Sequence, residues 1–276
     1  VLCTLYRQCG ETIEMMIDQS DLNELLKKTV KENLQKEKYD PSLLSQYQET
    51  PSNSTQHSSQ IDNVPPPPSN ASIISLTSLI DPYDATIDLQ PLLTQMRNTN
   101  GKDCWKERQE GILRVTELME KKKRVVNNKS IADLVAVLKE RLSEVNLNLR
   151  AKVLICIEQV IRALGPDGIE YASVLFPDML RLCNEAKQNI ISALYSALTA
   201  WVEVDAMQKE SRLNALGQYL SIGLKAPKGR LSLLTWLHEY ASLIDQKTAV
   251  LVASDLLDCL TDKAAPVRNK AMSILE

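Results

Sequence analysis

Arg268 opens a helical stretch six residues after Asp262, and Trp105 opens another directly after the polar loop Asn100–Cys104. A cation at a helix N-terminus faces the positive end of the helix dipole, so Arg268 either pairs locally with Asp262 or serves a partner with an acidic surface. A Trp just inside a helix start is either a core anchor or, left exposed, a contact of large apolar area with one N–H donor. In both cases the chemistry is non-covalent recognition. The residues for covalent chemistry are sparse. The two histidines, His57 and His238, argue against a zinc site. Asp255, Asp258 and Asp262 fall on a helix face and its cap rather than in an oxygen-rich loop, so they make no metal cluster. The six cysteines, Cys3, Cys9, Cys104, Cys156, Cys183 and Cys259, show no CxxC or ligand spacing after residue 100 and read as reduced thiols of a cytosolic protein. No G-x-S-x-G, phosphate-binding loop or H-E-x-x-H is present. The sequence therefore reads as a binding module with no enzymatic activity and no cofactor.

The elements that position these residues follow from composition and periodicity. Apolar residues make up 44% of the 276 positions but aromatics only 4%, so Leu, Ile, Val and Ala must build the core. Eight glycines are too few for an all-β fold rich in tight turns. From about Asp88 onward apolar residues recur at i, i+3, i+4 and i+7 in paired blocks with a period near 40 residues. The pairs are Ile87–Thr99 with Trp105–Glu120, Ser130–Leu142 with Asn146–Leu164, Gly168–Cys183 with Glu185–Val202, Asp205–Ile222 with Pro227–Leu243, and Gln246–Leu260 with Ala265–Glu276. Helix pairs at this period are the mark of an all-α solenoid of HEAT or armadillo type. The polar turns inside the pairs line up along one edge, which is an elongated binding surface.

Before the solenoid, residues 1–38 read as two short helices, Val1–Gln8 and one from about Asp21, too small to bury a core alone. Residues 39–84 are rich in Ser, Gln, Asn, Thr and Pro, including the run Pro65–Pro68, and read as a disordered linker. Residues 45–70 are expected to be mobile. The more apolar Ala71–Ile80 has the composition to dock on a neighbouring surface. The net charge of −3 and the absence of a long apolar run give no drive toward nucleic acid or a membrane. Val1 is not an initiator methionine and the sequence breaks off at Glu276 inside an apolar helical pattern, so a fragment of a longer protein is expected.

Trp105-Lys-Glu-Arg-Gln-Glu-Gly-Ile112 resembles the W-K-x-R-x-E-G-L signature of TOG domains. Asp262-Lys-Ala-Ala-Pro-Val-Arg268, with Lys270 and Ala271, resembles their fifth repeat; Ala-Leu-Thr-Ala-Trp201 resembles the end of the third, and Pro227–Leu237 the fourth. Over residues 81–276 the chain looks like the fourth TOG domain of the ch-TOG-type microtubule polymerases. The resemblance implies HEAT-like repeats 1–5 over residues 85–276, the sixth being absent, with residues 1–38 as the end of a preceding TOG domain. It implies αβ-tubulin as the partner, neighbouring TOG domains in the same chain, and a place at microtubule plus ends, the spindle and the centrosome in the cytoplasm. The implied tubulin contacts are Trp105 and Lys106 from the first turn, Asn146 and Asn148 from the second, Lys225, Lys228 and Arg230 from the fourth, and Lys263 and Arg268 from the fifth. At the third turn Ile190 and Ile191 replace the Val-Arg pair common in the family, leaving Lys187 as the substitute.

Other features have plainer readings. Trp201 and Trp236 lie in strongly apolar helices and are expected in the core, and His238 at or near the surface. The run Lys121–Arg124 closes a helix on the edge opposite the intra-repeat turns, where cations complement the helix dipole. The competing functional reading is a generic HEAT scaffold that binds another protein through its inner helical face. Trp105 and Arg268 at the turns are what separate the two.

Overall fold

The structure, a computed structural model, describes residues 14–19, 22–35, 81–205, 214–241 and 246–275. The expected helix Val1–Gln8 and the segments 45–70 and 71–80 lie outside the described residues. At the N-terminal side a helical turn over 14–19 precedes α1 (Glu24–Gln35). Asn23 caps α1 by accepting the Leu26 N–H at 2.9 Å, and Lys31 reaches back to Asp18 at 2.6 Å.

Ten α-helices follow among the described residues, in five antiparallel pairs. They are α2 (Thr86–Arg97) with α3 (Cys104–Lys122), α4 (Lys129–Arg141) with α5 (Leu147–Leu164), α6 (Ala172–Arg181) with α7 (Gln188–Asp205), α8 (Asn214–Leu224) with α9 (Arg230–Glu239), and α10 (Gln246–Cys259) with α11 (Ala265–Leu275). Each helix packs on the one two places along. The even helices α2, α4, α6, α8 and α10 form one layer, and α3, α5, α7, α9 and α11 form the other. Among the described residues the sole β feature is an isolated bridge, Tyr83 with Val125. Through it residues 81–84, which composition assigns to the linker, join the solenoid: Tyr83 donates to the Arg124 carbonyl at 3.0 Å and accepts from Val126 at 2.9 Å.

The helix boundaries have local causes. Asn128 and Asn146 are N-caps whose side chains accept the first free N–H groups of α4 and α5. Gly165 ends α5 with φ +59, and Pro166 prevents its continuation. Gly168–Cys183, expected as one helix, is divided: residues Gly165–Tyr171 form a 3-10 helix before α6, and Leu182–Asn184 another after it. Asp205, expected to open α8, is instead the last residue of α7.

The core runs between the two layers. Phe176 is fully buried, with the Trp201 ring edge-on at 4.7 Å between centroids and Tyr219 at 5.9 Å. Trp201 and Trp236 are core residues, and each indole N–H has an acceptor: Gly168 O at 3.2 Å and Thr199 Oγ1 at 3.0 Å. His238 is exposed and lies 3.0 Å from the Ser273 hydroxyl.

Three thiols belong to this core. Burial pushes Cys156 up to about 12 and Cys183 and Cys259 up to about 11, so the nucleophilic thiolate is absent at neutral pH. Cys104 is half-buried, at the start of α3. A maleimide added to the native protein at pH 7 is therefore expected to label Cys104 and to reach Cys156, Cys183 and Cys259 only after denaturant is added. Peptide mapping of the labelled protein checks this, and native labelling at Cys156 would contradict the packing.

Candidate interaction edge

The five intra-repeat turns lie side by side, and the links between them are explicit. Arg108, in α3, donates to the Asn98 carbonyl of its own turn at 2.8 Å and reaches the second turn, where its Nε lies 2.7 Å from Glu144 Oε1 and its Nη2 is 3.1 Å from Oε2. Arg141 joins the same carboxylate at 2.7 Å. Arg150, in α5, donates back to the Glu144 carbonyl and forward to Glu185 on the third turn at 2.7 Å. Arg230, in α9, donates to the Leu224 carbonyl at 2.6 Å and forms an ion pair with Asp262 on the fifth turn. Arg268, in α11, donates to the Asp262 and Lys263 carbonyls at 2.7 and 3.0 Å. Arg150, Arg230 and Arg268 each reach a carbonyl six residues back. One arginine in each of α3, α5, α9 and α11 thus closes its own turn, and those of α3, α5 and α9 also bind the next.

The third repeat departs from this scheme. Ile191 occupies the equivalent position, since its N–H makes the opening bond to the Lys187 carbonyl as Arg150, Arg230 and Arg268 do to Asn146, Ala226 and Ala264. Ile190 and Ile191 are both buried. The third and fourth turns meet through the backbone instead. The Lys228 N–H donates to Asn184 Oδ1 at 3.3 Å, and Gly229 approaches so closely that a Cβ there would lie 1.8 Å from the Cys183 carbonyl oxygen.

These bonds sort the sequence-derived contact residues. Trp105 is 37% exposed, with Lys106 Nζ 5.7 Å from its ring centroid; Lys106 itself pairs with Asp103 at 3.0 Å. Asn146 uses its side-chain oxygen to cap α5, bonding the Asn148 and Leu149 N–H groups, while Asn148 is exposed. Lys187, Lys228 and Lys263 are exposed and make no ion pair with a described residue; Lys225 is exposed and lies 3.7 Å from Asp255. Arg230 is half-buried and committed to Asp262. Arg268, also half-buried, takes the carbonyl oxygens of the turn rather than the Asp262 carboxylate. The Ala264 backbone N–H, then Arg230, hold the Asp262 carboxyl below the usual carboxylate range, against the opposing effect of burial. The edge therefore presents an indole and a row of lysines on a frame fixed by arginines.

Sequence reasoning passed over two further exposed apolar residues on this edge, Val145 at 91% in the second turn and Leu231 at 37% in the first turn of α9. Val145 is set between Glu144, held by three arginines, and the cap Asn146, so its backbone is fixed while its side chain faces water. An apolar residue inside an otherwise polar turn was the available signal.

No metal-ligand cluster is found among the described residues, and no described helix is long and apolar enough to cross a membrane.

Comparisons with known proteins address the whole unit. No protein-family model matches the chain. Protein MOR1 of Oryza sativa subsp. japonica is 26% identical over 187 residues, covering 66% of this chain and 9% of that protein. Centrosomal protein 224 of Dictyostelium discoideum is 26% identical over 202 residues, covering 68% of this chain and 10% of that protein. The chain thus spans about a tenth of the length of the curated relatives it matches. Among solved structures, a chain from the work on microtubule plus-end tracking by XMAP215, CLIP-170 and EB1 superposes with a TM-score of 0.58 at 21% identity, covering 71% of this chain and 80% of that one. A microtubule polymerase with Tumor Overexpressed Gene (TOG) domain arrays, described for tubulin recruitment and assembly, superposes at 0.57 with 17% identity, covering 70% of this chain and 41% of that one. The likeness to these structures shows the fold: an all-α solenoid of HEAT-like helix pairs.

Proposed function

We propose that the turn edge binds αβ-tubulin, and that the chain acts as a TOG-type module in microtubule plus-end polymerisation and spindle organisation. The observation that carries this reading is the arrangement of the edge. Five adjacent turns are joined into one line, with Trp105 exposed at one end and, along the rest, the exposed lysines Lys187, Lys228 and Lys263, which pair with no described residue. An acidic protein surface complements such a row, and the indole supplies the desolvated anchor. The similarity to MOR1 and to the tubulin-recruiting TOG array supports the choice of partner. On this reading residues 1–38 end a neighbouring TOG domain, residues 39–84 are the linker between the two, and the protein works at plus ends, spindle and centrosome. Which TOG domain of an array it represents belongs to the same proposal, with the fourth as the assignment.

The lysines steer association, so their effect depends on salt. Lys187→Glu, Lys228→Glu and Lys263→Glu combined are expected to weaken tubulin binding about tenfold at low ionic strength and less at high salt. Fluorescence anisotropy with labelled tubulin across a salt series measures this. Unchanged affinity at low salt would remove the lysine row from the contact and favour a scaffold that uses its helical face.

A further inference from the structure

The last turn of α3, the segment after it and the first residue of α4 carry five cations in nine residues: Lys121, Lys122, Lys123, Arg124 and Lys129. The helix dipole accounts for one or two cations at this end, not for five. Lys121, Lys123, Arg124 and Lys129 are exposed, and Lys121, Lys123 and Lys129 make no ion pair with a described residue. Most described arginines elsewhere in the solenoid are paired, including Arg108, Arg114, Arg150, Arg162, Arg181 and Arg230, whereas the exposed lysines of the turn edge lie singly, one to a turn at Lys187 and Lys263.

The backbone here is fixed. Lys123 is the one described residue other than glycine with positive φ, at 58°, and forms the left-handed C-cap of α3. Glycine is the residue such a cap favours, and a lysine there is strained. Lys122 is held with its Nζ 3.5 Å from the centre of the Tyr83 ring. The Tyr83–Val125 bridge anchors the following residues. The acids near this corner include Asp81, Asp84, Asp88, Glu120 and Glu170. Asp84 accepts hydrogen bonds from Thr86 and Asn128, Asp88 accepts the Tyr83 hydroxyl at 2.5 Å, and Glu170 accepts from the Asn127 amide at 2.6 Å, so these three are engaged by neutral groups rather than by the lysines.

We infer that this corner is a docking site for an acidic, extended polypeptide segment, separate from the turn edge. The 19 residues of α3 place it about 28 Å from Trp105, at the opposite end of the same helix. Charge complementarity carries the choice: an extended chain of carboxylates matches a short row of four ammonium groups and one guanidinium set on a fixed backbone. The patch is too small, and the whole chain at net charge −3 too acidic, to fit a nucleic-acid duplex. The inference does not depend on the tubulin assignment.

The test uses the full chain and a fluorescein-labelled polyglutamate peptide, read by anisotropy at low and physiological salt. Wild type is expected to bind, with affinity falling as salt rises. Lys121→Glu, Lys123→Glu and Lys129→Glu combined should weaken binding at least about tenfold. The turn-edge set Lys187→Glu, Lys228→Glu and Lys263→Glu, and Trp105→Ala, should leave peptide binding unchanged. Circular dichroism establishes that each variant is folded. Should the corner set fail that control, the same lysines changed to Gln should give a smaller loss in the same direction. Absence of peptide binding, an equal loss in the turn-edge set, or tighter corner-dependent binding of oligothymidine or of phosphatidylserine vesicles would overturn the inference.

Discussion

Gly229→Ala is expected to destabilise the solenoid by about 3 kcal/mol or more, a larger effect than a surface Gly→Ala change produces elsewhere. The new Cβ would lie 1.8 Å from the Cys183 carbonyl oxygen and 2.4 Å from its carbonyl carbon, and these are backbone atoms with no rotamer to adopt. Relief requires the third and fourth turns to separate. That would break the Lys228–Asn184 bond and disturb the packing of α9 on α7. Gly229 has φ −94, a conformation alanine adopts freely, so backbone strain plays no part and the effect is steric. In an open site the same substitution would stabilise by roughly 0.4–1 kcal/mol through the unfolded chain. The sign of the change therefore tests the close approach. The expected loss corresponds to a melting temperature lower by roughly 6 °C or more for a unit of this size, read by circular dichroism. Gly101→Ala is the control: it has φ +96 but no atom within 4 Å of the new Cβ, so its cost comes from conformation alone and is about 1 kcal/mol. An unchanged or higher melting temperature for Gly229→Ala would contradict the described junction.

Arg108→Ala is expected to cost about 3 kcal/mol, measured from the urea midpoint of unfolding. Arg108 is 8% exposed and the Glu144 side chain 10%, so both charges are removed from water. Burial works against the Arg108 charge, but hydrogen bonds to Glu144 and Cys104 outweigh it and hold the guanidinium more firmly protonated than usual. Removing the arginine strands Glu144 with Arg141 alone and leaves the Asn98 carbonyl without this donor. The remaining Arg141 pair keeps the loss at the low end of what breaking a buried pair costs. Arg108→Lys should fall between, since one ammonium cannot span the Asn98 carbonyl and both Glu144 oxygens. A loss under about 1 kcal/mol for the alanine variant would mean that the first two turns are not joined through Glu144.

Much of this architecture is legible in the sequence, because helix pairs stacked at a constant period leave a 3.6-residue apolar pattern that recurs. Leu134, Leu138, Leu154 and Ile161 could be assigned to the core from spacing alone, and all are buried. Where the chain departs from regular helix, the signals were local and underweighted. Gly165–Pro166 announced the break that makes residues 165–171 a 3-10 helix. The arginine links were overlooked because each joins different repeats, yet their separations carried a trace. Arg108 to Glu144, Arg150 to Glu185 and Arg230 to Asp262 are 36, 35 and 32 residues apart, close to one repeat. The tightness at Gly229 could not be read, because it depends on how closely two turns approach and no residue pattern encodes that distance. From their helix-start positions Arg230 and Arg268 read as cations for a partner, with a local pair to Asp262 as the alternative for Arg268. The structure gives both to the turns, which leaves the lysines and the indole as the exposed groups.

If the turn edge is the surface that binds tubulin, co-elution with purified αβ-tubulin on a sizing column depends on it. Trp105 is the exposed aromatic of the edge, so its truncation should weaken the complex by about 2 kcal/mol, roughly thirtyfold. The polyglutamate-binding corner at Lys121 to Lys129, with no indole beside it, should be indifferent to this change. The wild-type chain should shift into the tubulin peak, Trp105→Ala combined with Lys263→Glu should elute separately, and both should have the same helicity. A wild-type chain that fails to shift, or a folded double variant that shifts as wild type does, would contradict tubulin binding at the turn edge.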